Sequence, residues 1–471
     1  MSVQEKITHI KQALKGAFQS EEKLVNASLK AELSEHLSPN IRALRLATTS
    51  AEVLLGSGVA VSDVVSMALD ITDRYCKRKV QFDISSTTIM ASQDRGDTLE
   101  PLTLIRHARP QTPNNMVVQS LQELIHEIAA GDLELSEAED RLEKLLESPW
   151  EYPQWLKAVG SAFISAGVGI MFGAKPIIIA IMLLVGVGVT YLLKFFETKN
   201  TPTFFAQISS ATIITLVAAL VTWAGRAEFA LFSGVNPTLI VIGGIVMLAA
   251  GLAVVGAVQD AIDEYYVTAN ARLLKVMIMT AGIVTGVIIG LYVAKQLGFA
   301  ISVNSGQEVL ARGGWQYVGA MLISAGYALS MQSGKLAIAA SGGMGVFAWL
   351  IYQMSYAQLN LTTVVASGMA AMAVGFTATI VARFWRSSSS GLIMAGIVPL
   401  VPGLTLYNGL MKVVLGSSYG DLNGGMLTLF NAALIAFAIA SGASFGTFIG
   451  RPMRRTLLLA RNMLPRQKLH K

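Results

Sequence analysis

The fold of this chain is decided by residues 155–194, which read WLKAVGSAFISAGVGIMFGAKPIIIAIMLLVGVGVTYLLK. Two apolar stretches, 155–173 and 176–194, are separated here only by a short turn around Lys175. Each is long enough to cross the hydrocarbon core of a bilayer, which is about 30 Å thick. The stretch therefore predicts a hairpin of two transmembrane helices.

The composition of the chain changes abruptly at the start of this hairpin. Residues 1–154 carry 23 Asp and Glu against 16 Lys and Arg, whereas the remaining residues carry 7 against 20. We expect an acidic soluble segment followed by a charge-poor membrane region. Because the positive excess lies in membrane loops and the C-terminal tail, the net charge of +6 does not indicate nucleic-acid binding.

Apolar segments of membrane-crossing length recur to the end of the chain, and they predict ten spans. These are 155–173, 176–194, 202–224, 237–258, 271–294, 314–333, 336–356, 360–384, 391–415 and 424–450. With the N-terminus inside, the inner loops and tail hold fifteen Lys and Arg and the outer loops hold five. Because basic residues concentrate on the cytoplasmic side, we expect both termini in the cytoplasm of a bacterial cell and the chain in its inner membrane.

The segment before the first span predicts a polar, partly disordered leader over 1–40 and a small cytoplasmic α+β domain over 41–150. Helices are expected up to Gly56, over 63–75, 115–129 and 136–146, and short antiparallel strands over 79–83, 87–90 and 102–105. The membrane region divides into 155–300 and 301–450, and a basic cytoplasmic tail follows over 451–471.

An internal repeat relates the two membrane halves. Val159-Gly160 and Ile164-Ser165-Ala166-Gly167 recur as Val318-Gly319 and Ile323-Ser324-Ala325-Gly326 at a constant offset, and 248–252 is similar to 400–404. If each copy has five spans, the second enters from the opposite side of the membrane. The pattern predicts an α-helical polytopic membrane protein with about ten transmembrane helices in two inverted five-helix repeats. The alternative is chance recurrence of small residues in Gly- and Ala-rich helices.

The strongest site signal is the stretch 396–409, GIVPLVPGLTLYNG. Pro399 and Pro402 remove two amide donors beside Gly403, so we expect the helix to break near the middle of the membrane. Such a break is tolerated where protein or a watered cavity satisfies the freed carbonyls, which favours a substrate pathway over a simple packing kink. Tyr407-Asn408 adds hydrogen-bonding groups, and the counterpart Ala249-Ala250-Gly251 lacks the prolines and is expected to stay more helical.

Three more polar side chains inside apolar spans are candidate substrate contacts: Ser165, Ser324 and Asn431. Hydrogen bonding between helices is the alternative explanation for such residues, although a lone amide deep in the last span, as at Asn431, needs partners.

Asp260, at the end of span four, is the candidate proton-coupling residue, because a carboxylate at the inner rim can exchange protons with the cytoplasm. A solvated loop charge that pairs with Arg272 or Lys275 is the alternative. For the neighbouring Asp263 and Glu264 the solvated interpretation is favoured.

Several classes of site are not expected. Cys76 is the only cysteine, the five histidines lie outside the apolar region, and no Gly-rich phosphate loop follows a strand. The sequence therefore predicts no enzyme, no metal and no cofactor, and any active transport needs an ion gradient or a separate partner.

The combined pattern resembles the threonine/serine exporter (ThrE) family over residues 45–450. The resemblance lies in Gly56-Ser57-Gly58, the strands Phe82-Asp83-Ile84 and Thr87-Thr88-Ile89, Gln259-Asp260-Ala261-Ile262, and Pro399-Leu-Val-Pro402-Gly403. It implies a ten-span carrier with a cytoplasmic N-terminal domain that exports threonine and serine, driven by the proton motive force.

On this interpretation the partners are a small zwitterionic amino acid, a proton gradient and the lipid bilayer, with homo-oligomerisation left open. The substrate would bind between the repeats, near 399–408. A gated channel, or a membrane receptor regulated by the acidic domain, is the alternative class.

Overall fold

The structure is a computed structural model. It describes residues 38–96, 99–109, 113–147, 150–226, 238–248, 251–299, 310–311, 313–384, 389–403, 405–406, 408–409, 412–413 and 422–463. The expected leader therefore lies almost entirely outside the described residues.

The described residues before the first predicted span form four helices and a three-stranded antiparallel sheet of order β1-β2-β3. The elements are α1 (Pro39–Gly56), α2 (Val61–Tyr75), β1 (Val80–Ser85), β2 (Thr88–Gln93), β3 (Leu102–His107), α3 (Asn115–Ala130) and α4 (Leu135–Glu147). These agree with the expected helices and strands to within a few residues. The largest boundary difference in the helices is at α2, which starts at Val61 rather than at Asp63.

Local signals explain where these helices begin and end. Pro39 occupies the first turn of α1, where its missing amide hydrogen costs nothing. The Asn114 side chain accepts from two backbone amides at the start of α3, and Gly131 ends that helix with a φ of 87°. Side chains from α1, α2, the sheet and α3 then pack into one apolar cluster, so this part of the chain has a hydrophobic core of its own.

The remaining described residues are almost entirely helical. They form α5 (Gln154–Met171), α6 (Pro176–Thr198), α7 (Thr203–Arg226), α8 (Thr238–Leu248), α9 (Gly251–Ile262), α10 (Tyr266–Gln296), α11 (Trp315–Ser330), α12 (Lys335–Gln353), α13 (Thr363–Phe384), α14 (Ser389–Ile397) and α15 (Leu422–Met463). A π-helical turn, Met354–Gln358, extends α12. Helix α15 continues past 450, so the first part of the segment expected as a tail is helical.

Six of the described helices are long and apolar enough to cross a membrane, which identifies a multi-pass membrane protein. They span Pro176–Thr198, Thr203–Gly225, Tyr266–Gln296, Lys335–Gln358, Thr363–Ala382 and Asn423–Gly450.

Helices α5 and α11 cross in close backbone contact. A Cβ added at Gly160 would lie 2.7 Å from the Gly326 carbonyl oxygen, and one at Gly326 would lie 2.6 Å from the Gly160 oxygen. Gly167 and Gly319 face each other in the same reciprocal way, at 2.8 and 2.7 Å. The residue numbers of these contacts rise along α5 and fall along α11, so the two helices are antiparallel. Only residues without a side chain allow this approach.

Two other helix pairs use glycines spaced by four residues. On α10, Gly282, Gly286 and Gly290 lie against the carbonyl oxygens of Phe204, Ile208 and Thr212 on α7. On α15, Gly442, Gly446 and Gly450 lie against those of Gly368, Met372 and Phe376 on α13. In both pairs the residue numbers rise together, so each pair is parallel.

Candidate functional site

The double-proline stretch breaks the helix as the sequence predicts. Helix α14 ends at Ile397, a 3₁₀ turn spans Val398–Leu400, and Val401 leaves the helical conformation with φ −58° and ψ 119°. Pro399 is buried, and Pro402 is half-buried. A break inside a buried, apolar environment needs local partners for its carbonyls, and the Leu406 amide donates to the Pro402 oxygen at 2.9 Å.

This break lies beside the first half of the membrane region. A Cβ added at Gly403 would lie 2.8 Å from a methyl group of Val246, on α8. Helix α8 ends at Leu248 and α9 begins at Gly251; Ala249 and Ala250 are outside the described residues, so their expected helicity stays a prediction. The two halves thus meet where Gly403 lies against Val246.

The two repeat-related serines are both fully buried, on the antiparallel helices α5 and α11. The Ser165 hydroxyl donates to the Gly243 carbonyl oxygen on α8 at 3.2 Å. The Ser324 hydroxyl has no hydrogen-bond partner among the described residues and lies against Gly345 on α12. Ser165 therefore links helices, whereas Ser324 retains hydrogen-bonding capacity inside the core.

The remaining polar candidates do not form one group. Asn408 is half-buried just beyond the break, and Tyr407 lies outside the described residues. Asn431, predicted as a lone amide deep in the last span, lies within α15, and its side chain is exposed on the outer face of that helix beside Phe430. The helical phase of α15 turns Asn431 away from the neighbouring helices, so the structure does not bring it to the break.

Two polar residues on α7 have buried side-chain oxygens without hydrogen-bond partners among the described residues. The side-chain oxygens Oε1 of Gln207 and Oγ of Ser210 accept or donate no hydrogen bond among the described residues. Burying such groups unpaired is costly, so they are candidates for polar ligand contacts. The sequence signal was only their position inside an apolar span.

Asp260 lies at the end of α9, where the membrane region meets the N-terminal domain, and it is fully buried. Its Oδ1 accepts from the Val61 amide at 3.1 Å, at the start of α2. Its Oδ2 is 2.7 Å from Nη1 of Arg272 on α10, although that contact lacks hydrogen-bond geometry. The Arg272 guanidinium also donates to the Val59 carbonyl oxygen at 3.1 Å. The pairing with Arg272 that the alternative interpretation predicted is present, but the Asp260 carboxylate in it is buried rather than solvated.

Further hydrogen bonds join the domain to the same segment. The Ser62 hydroxyl donates to Oδ2 of Asp263. Asp263 was expected to be solvated, but it is half-buried and hydrogen-bonded. The Ser86 amide donates to the Thr268 hydroxyl at 2.9 Å. Glu264 is exposed, in agreement with its expected solvation. We call this set of contacts between 59–62, 84–86 and 260–272 the junction.

The environment of Asp260 shifts its titration. Asp260 lies beyond the end of the expected span 237–258, against the N-terminal domain. Burial raises the pKa of Asp260 above the ordinary Asp value, whereas the Arg272 charge and the Val61 amide oppose this increase. The junction therefore contains a carboxylate whose charge depends on its cationic partner.

The fold and these sites define a class, a multi-pass α-helical membrane protein with a helix broken by prolines inside its apolar core. The chain belongs to the threonine/serine exporter (ThrE) family. Residues 45–294 match the family described as "Putative threonine/serine exporter", and residues 316–449 match the family described as "Threonine/Serine exporter, ThrE".

Two relatives carry corresponding names. The chain is 29% identical over 420 residues to a "Probable threonine/serine exporter" of Mycobacterium tuberculosis, which covers 88% of this chain and 77% of that protein. It is 27% identical over 432 residues to a "Threonine/serine exporter" of Corynebacterium glutamicum, which covers 90% of this chain and 85% of that protein. No solved structure matches the chain.

Proposed function

We propose that this protein exports small polar amino acids, threonine and serine, from the cytoplasm across a bacterial inner membrane. The observation that carries the proposal is the family match over both membrane halves, together with the names of the two relatives. The basic inner loops of the sequence support cytoplasmic termini.

The membrane architecture we propose is ten spans in two inverted five-helix repeats. The reciprocal contacts between α5 and α11 support it, because Gly160 corresponds to Gly319 and Gly167 to Gly326 at one constant offset. Gly160 contacts Gly326, the equivalent of Gly167, and Gly167 contacts Gly319, the equivalent of Gly160. This reciprocal pattern is the one that a two-fold axis between equivalent helices produces. Equivalent antiparallel helices also require an odd number of crossings in each repeat.

Packing within the proposed repeats supports the same correspondence. A Cβ at Gly186 would lie 2.8 Å from the Ser161 oxygen, and one at Gly345, the corresponding residue, would lie 2.7 Å from the Ala320 oxygen, the corresponding atom. The two parallel helix pairs, α7 with α10 and α13 with α15, also resemble each other, because in each pair three glycines spaced by four residues lie against backbone oxygens of the partner helix. Such repeats are the basis of alternating access in many carriers.

We place substrate binding at the meeting point of the halves, near 399–408. Amides freed at a helix break attract a carboxylate and freed carbonyls attract an ammonium group, which suits a zwitterion. Among the described residues, we assign Asn408 and Ser324 as polar contacts of the substrate, and Tyr407 is a further expected contact. Ser165 lies in the first membrane half, where its hydrogen bond to Gly243 holds α8 in place. For Asn431, on the outer face of α15, direct contact would need a rearrangement.

Proton antiport is the coupling that we propose, with Asp260 as the proton-coupling residue. Its raised pKa and its partner Arg272 support a role in which protonation of the carboxylate releases the guanidinium. Because Asp260 also binds the Val61 amide, its protonation would be felt by the N-terminal domain.

The test is transport by the purified protein in liposomes preloaded with radiolabelled threonine. We expect saturable efflux, counterflow with unlabelled serine, acceleration by an acidic exterior, and little flux of glutamate. Absence of threonine and serine flux would refute the substrate assignment. Non-saturating flux without counterflow would instead indicate a channel.

Asp260→Asn tests the coupling in the same vesicles, with Asp263→Asn as the matched control. We expect Asp260→Asn to lose the acceleration by the pH gradient and Asp263→Asn to keep it. Full gradient-driven export by Asp260→Asn would remove Asp260 from the coupling step.

A further inference from the structure

A cleft of about 190 Å³ opens at the junction, away from the proline break. On the domain side its walls are the end of α1, including Gly56 and Gly58, and the β1–β2 turn at Ser86 and Thr87. On the membrane side its wall is the beginning of α10, with Arg272 and Lys275. The cleft therefore belongs to neither part alone.

The cleft has an excess of positive charge. Arg272 and Lys275 are three residues apart on α10, so both face the same side of the helix. None of the described lining residues is a carboxylate. The Asp260 carboxylate neutralises the charge of Arg272. Lys275, in contrast, is exposed and has no ion-pair partner among the described residues. One uncompensated cation thus remains at the opening.

The protein groups that could neutralise this charge are already bonded. A helix C-terminus such as that of α1 normally presents free carbonyls to a cation. In α1 the Ser57, Gly58 and Val59 amides donate to the oxygens of Val53, Leu55 and Leu54 at 3.0, 3.0 and 3.1 Å. The carbonyl oxygens of Val53, Leu54 and Leu55 thus have backbone partners. Lys275, together with the guanidinium hydrogens of Arg272 that do not contact Asp260 or Val59, is available to an external group.

We propose that the cleft binds a small oxyanion, a phosphate or carboxylate group, between Arg272, Lys275 and the hydroxyls of the β1–β2 turn. Guanidinium and ammonium groups form charge-assisted hydrogen bonds with such anions. A water occupies about 30 Å³ of liquid, so the cleft has room for one such group with part of its hydration. This is a second binding site, independent of the transported amino acid.

Occupancy of the cleft has a structural consequence. Its two walls come from the N-terminal domain and from α10, so a bound anion bridges them and stabilises the junction. The anion can be free in solution or carried by a lipid headgroup, since both present the same oxygen chemistry. The site offers regulation of the membrane region through domain docking.

The experiment measures the thermal stability of the full-length protein in nanodiscs. One arm uses zwitterionic phosphatidylcholine discs titrated with inorganic phosphate, against chloride at equal ionic strength. The other arm uses discs with and without phosphatidylglycerol and no free phosphate. Lys275→Gln is the test variant, and Lys295→Gln is the matched control, because Lys295 is exposed at the opposite end of α10.

A stabilisation by phosphate that weakens about tenfold in apparent affinity in Lys275→Gln, but not in Lys295→Gln, supports a soluble anion. A stabilisation by phosphatidylglycerol alone, with the same dependence on Lys275, supports a headgroup. Thr87→Val provides an independent variant on the other wall, expected to weaken the same response. The proposal is overturned if neither anion stabilises the wild type, or if both lysine variants respond as the wild type does.

Discussion

Replacement of Arg272 by Ala is the sharpest perturbation of the junction. It removes the charge 2.7 Å from Oδ2 of Asp260 and leaves a fully buried carboxylate whose remaining described hydrogen bond is from the Val61 amide at 3.1 Å. Removing one partner of a buried ion pair costs about 3–5 kcal/mol. A loss of about 3 kcal/mol corresponds to a roughly hundredfold increase in the population of the open junction.

The loss of stability in Arg272→Ala depends on pH, because protonation of Asp260 removes the unpaired buried charge. Removing Arg272 takes away a charge that lowers the pKa of Asp260, so that pKa rises further in the variant. A carboxyl with a raised folded-state pKa favours folding below its unfolded value, about 3.9, and loses this contribution as the pH rises through the folded value. The destabilisation by Arg272→Ala is therefore larger at about pH 8 than at about pH 5.

Hydrogen exchange of the peptide at the start of α2 measures the effect, since the Val61 amide is part of the junction. Protection factors, corrected for the intrinsic pH dependence of exchange, should fall about a hundredfold in Arg272→Ala. The double variant Asp260→Asn with Arg272→Ala removes the isolated charge and should recover most of the protection. Unchanged protection in Arg272→Ala, or equal losses in the single and double variants, would refute the assignment of the junction to this ion pair.

Two further predictions concern the membrane helices. Gly160→Ala places a Cβ 2.7 Å from the Gly326 oxygen, so α5 and α11 must separate at a cost of about 1–3 kcal/mol, and the monodisperse fraction in size-exclusion chromatography should fall. Gly188→Ala, with nothing within 4 Å of the added Cβ, should behave as the wild type, and an equal loss in both would contradict the contact. Pro402→Ala restores an amide donor at the break and should slow threonine efflux in liposomes without lowering the folded yield. Efflux at the wild-type rate in Pro402→Ala would show that transport does not depend on the helix break.

The sequence predicted the local structure well because local forces decide it. Pro39 and Gly131 mark helix ends by their own backbone preferences, and the strand pattern of 80–107 follows from alternation along the chain. The break at Pro399 follows from the chemistry of proline alone. Each of these features depends on residues within a few positions of one another.

The candidate site was predicted less completely, because its geometry depends on helix rotation and on distant partners. Asn431 and Ser324 look alike in sequence, as single polar residues in apolar spans, yet one is exposed and the other fully buried. Gln207 is buried on α7 with a side-chain carbonyl oxygen that has no described partner, and its position in an apolar span was the only sign of this in the sequence. A small rotation of a helix moves a side chain between core and surface, and the apolar content of a span does not specify that rotation.

The sequence by itself determined a membrane protein with an acidic leading segment, repeated small-residue patterns and a helix broken by two prolines. Only the tertiary structure decided that Asp260 pairs with Arg272 and with an amide 199 residues earlier in the chain. It also decided that the repeated glycines face each other across α5 and α11. The physical reason is range: apolar length and proline act along the chain, whereas ion pairing, burial and close helix contact act between segments that only the fold brings together.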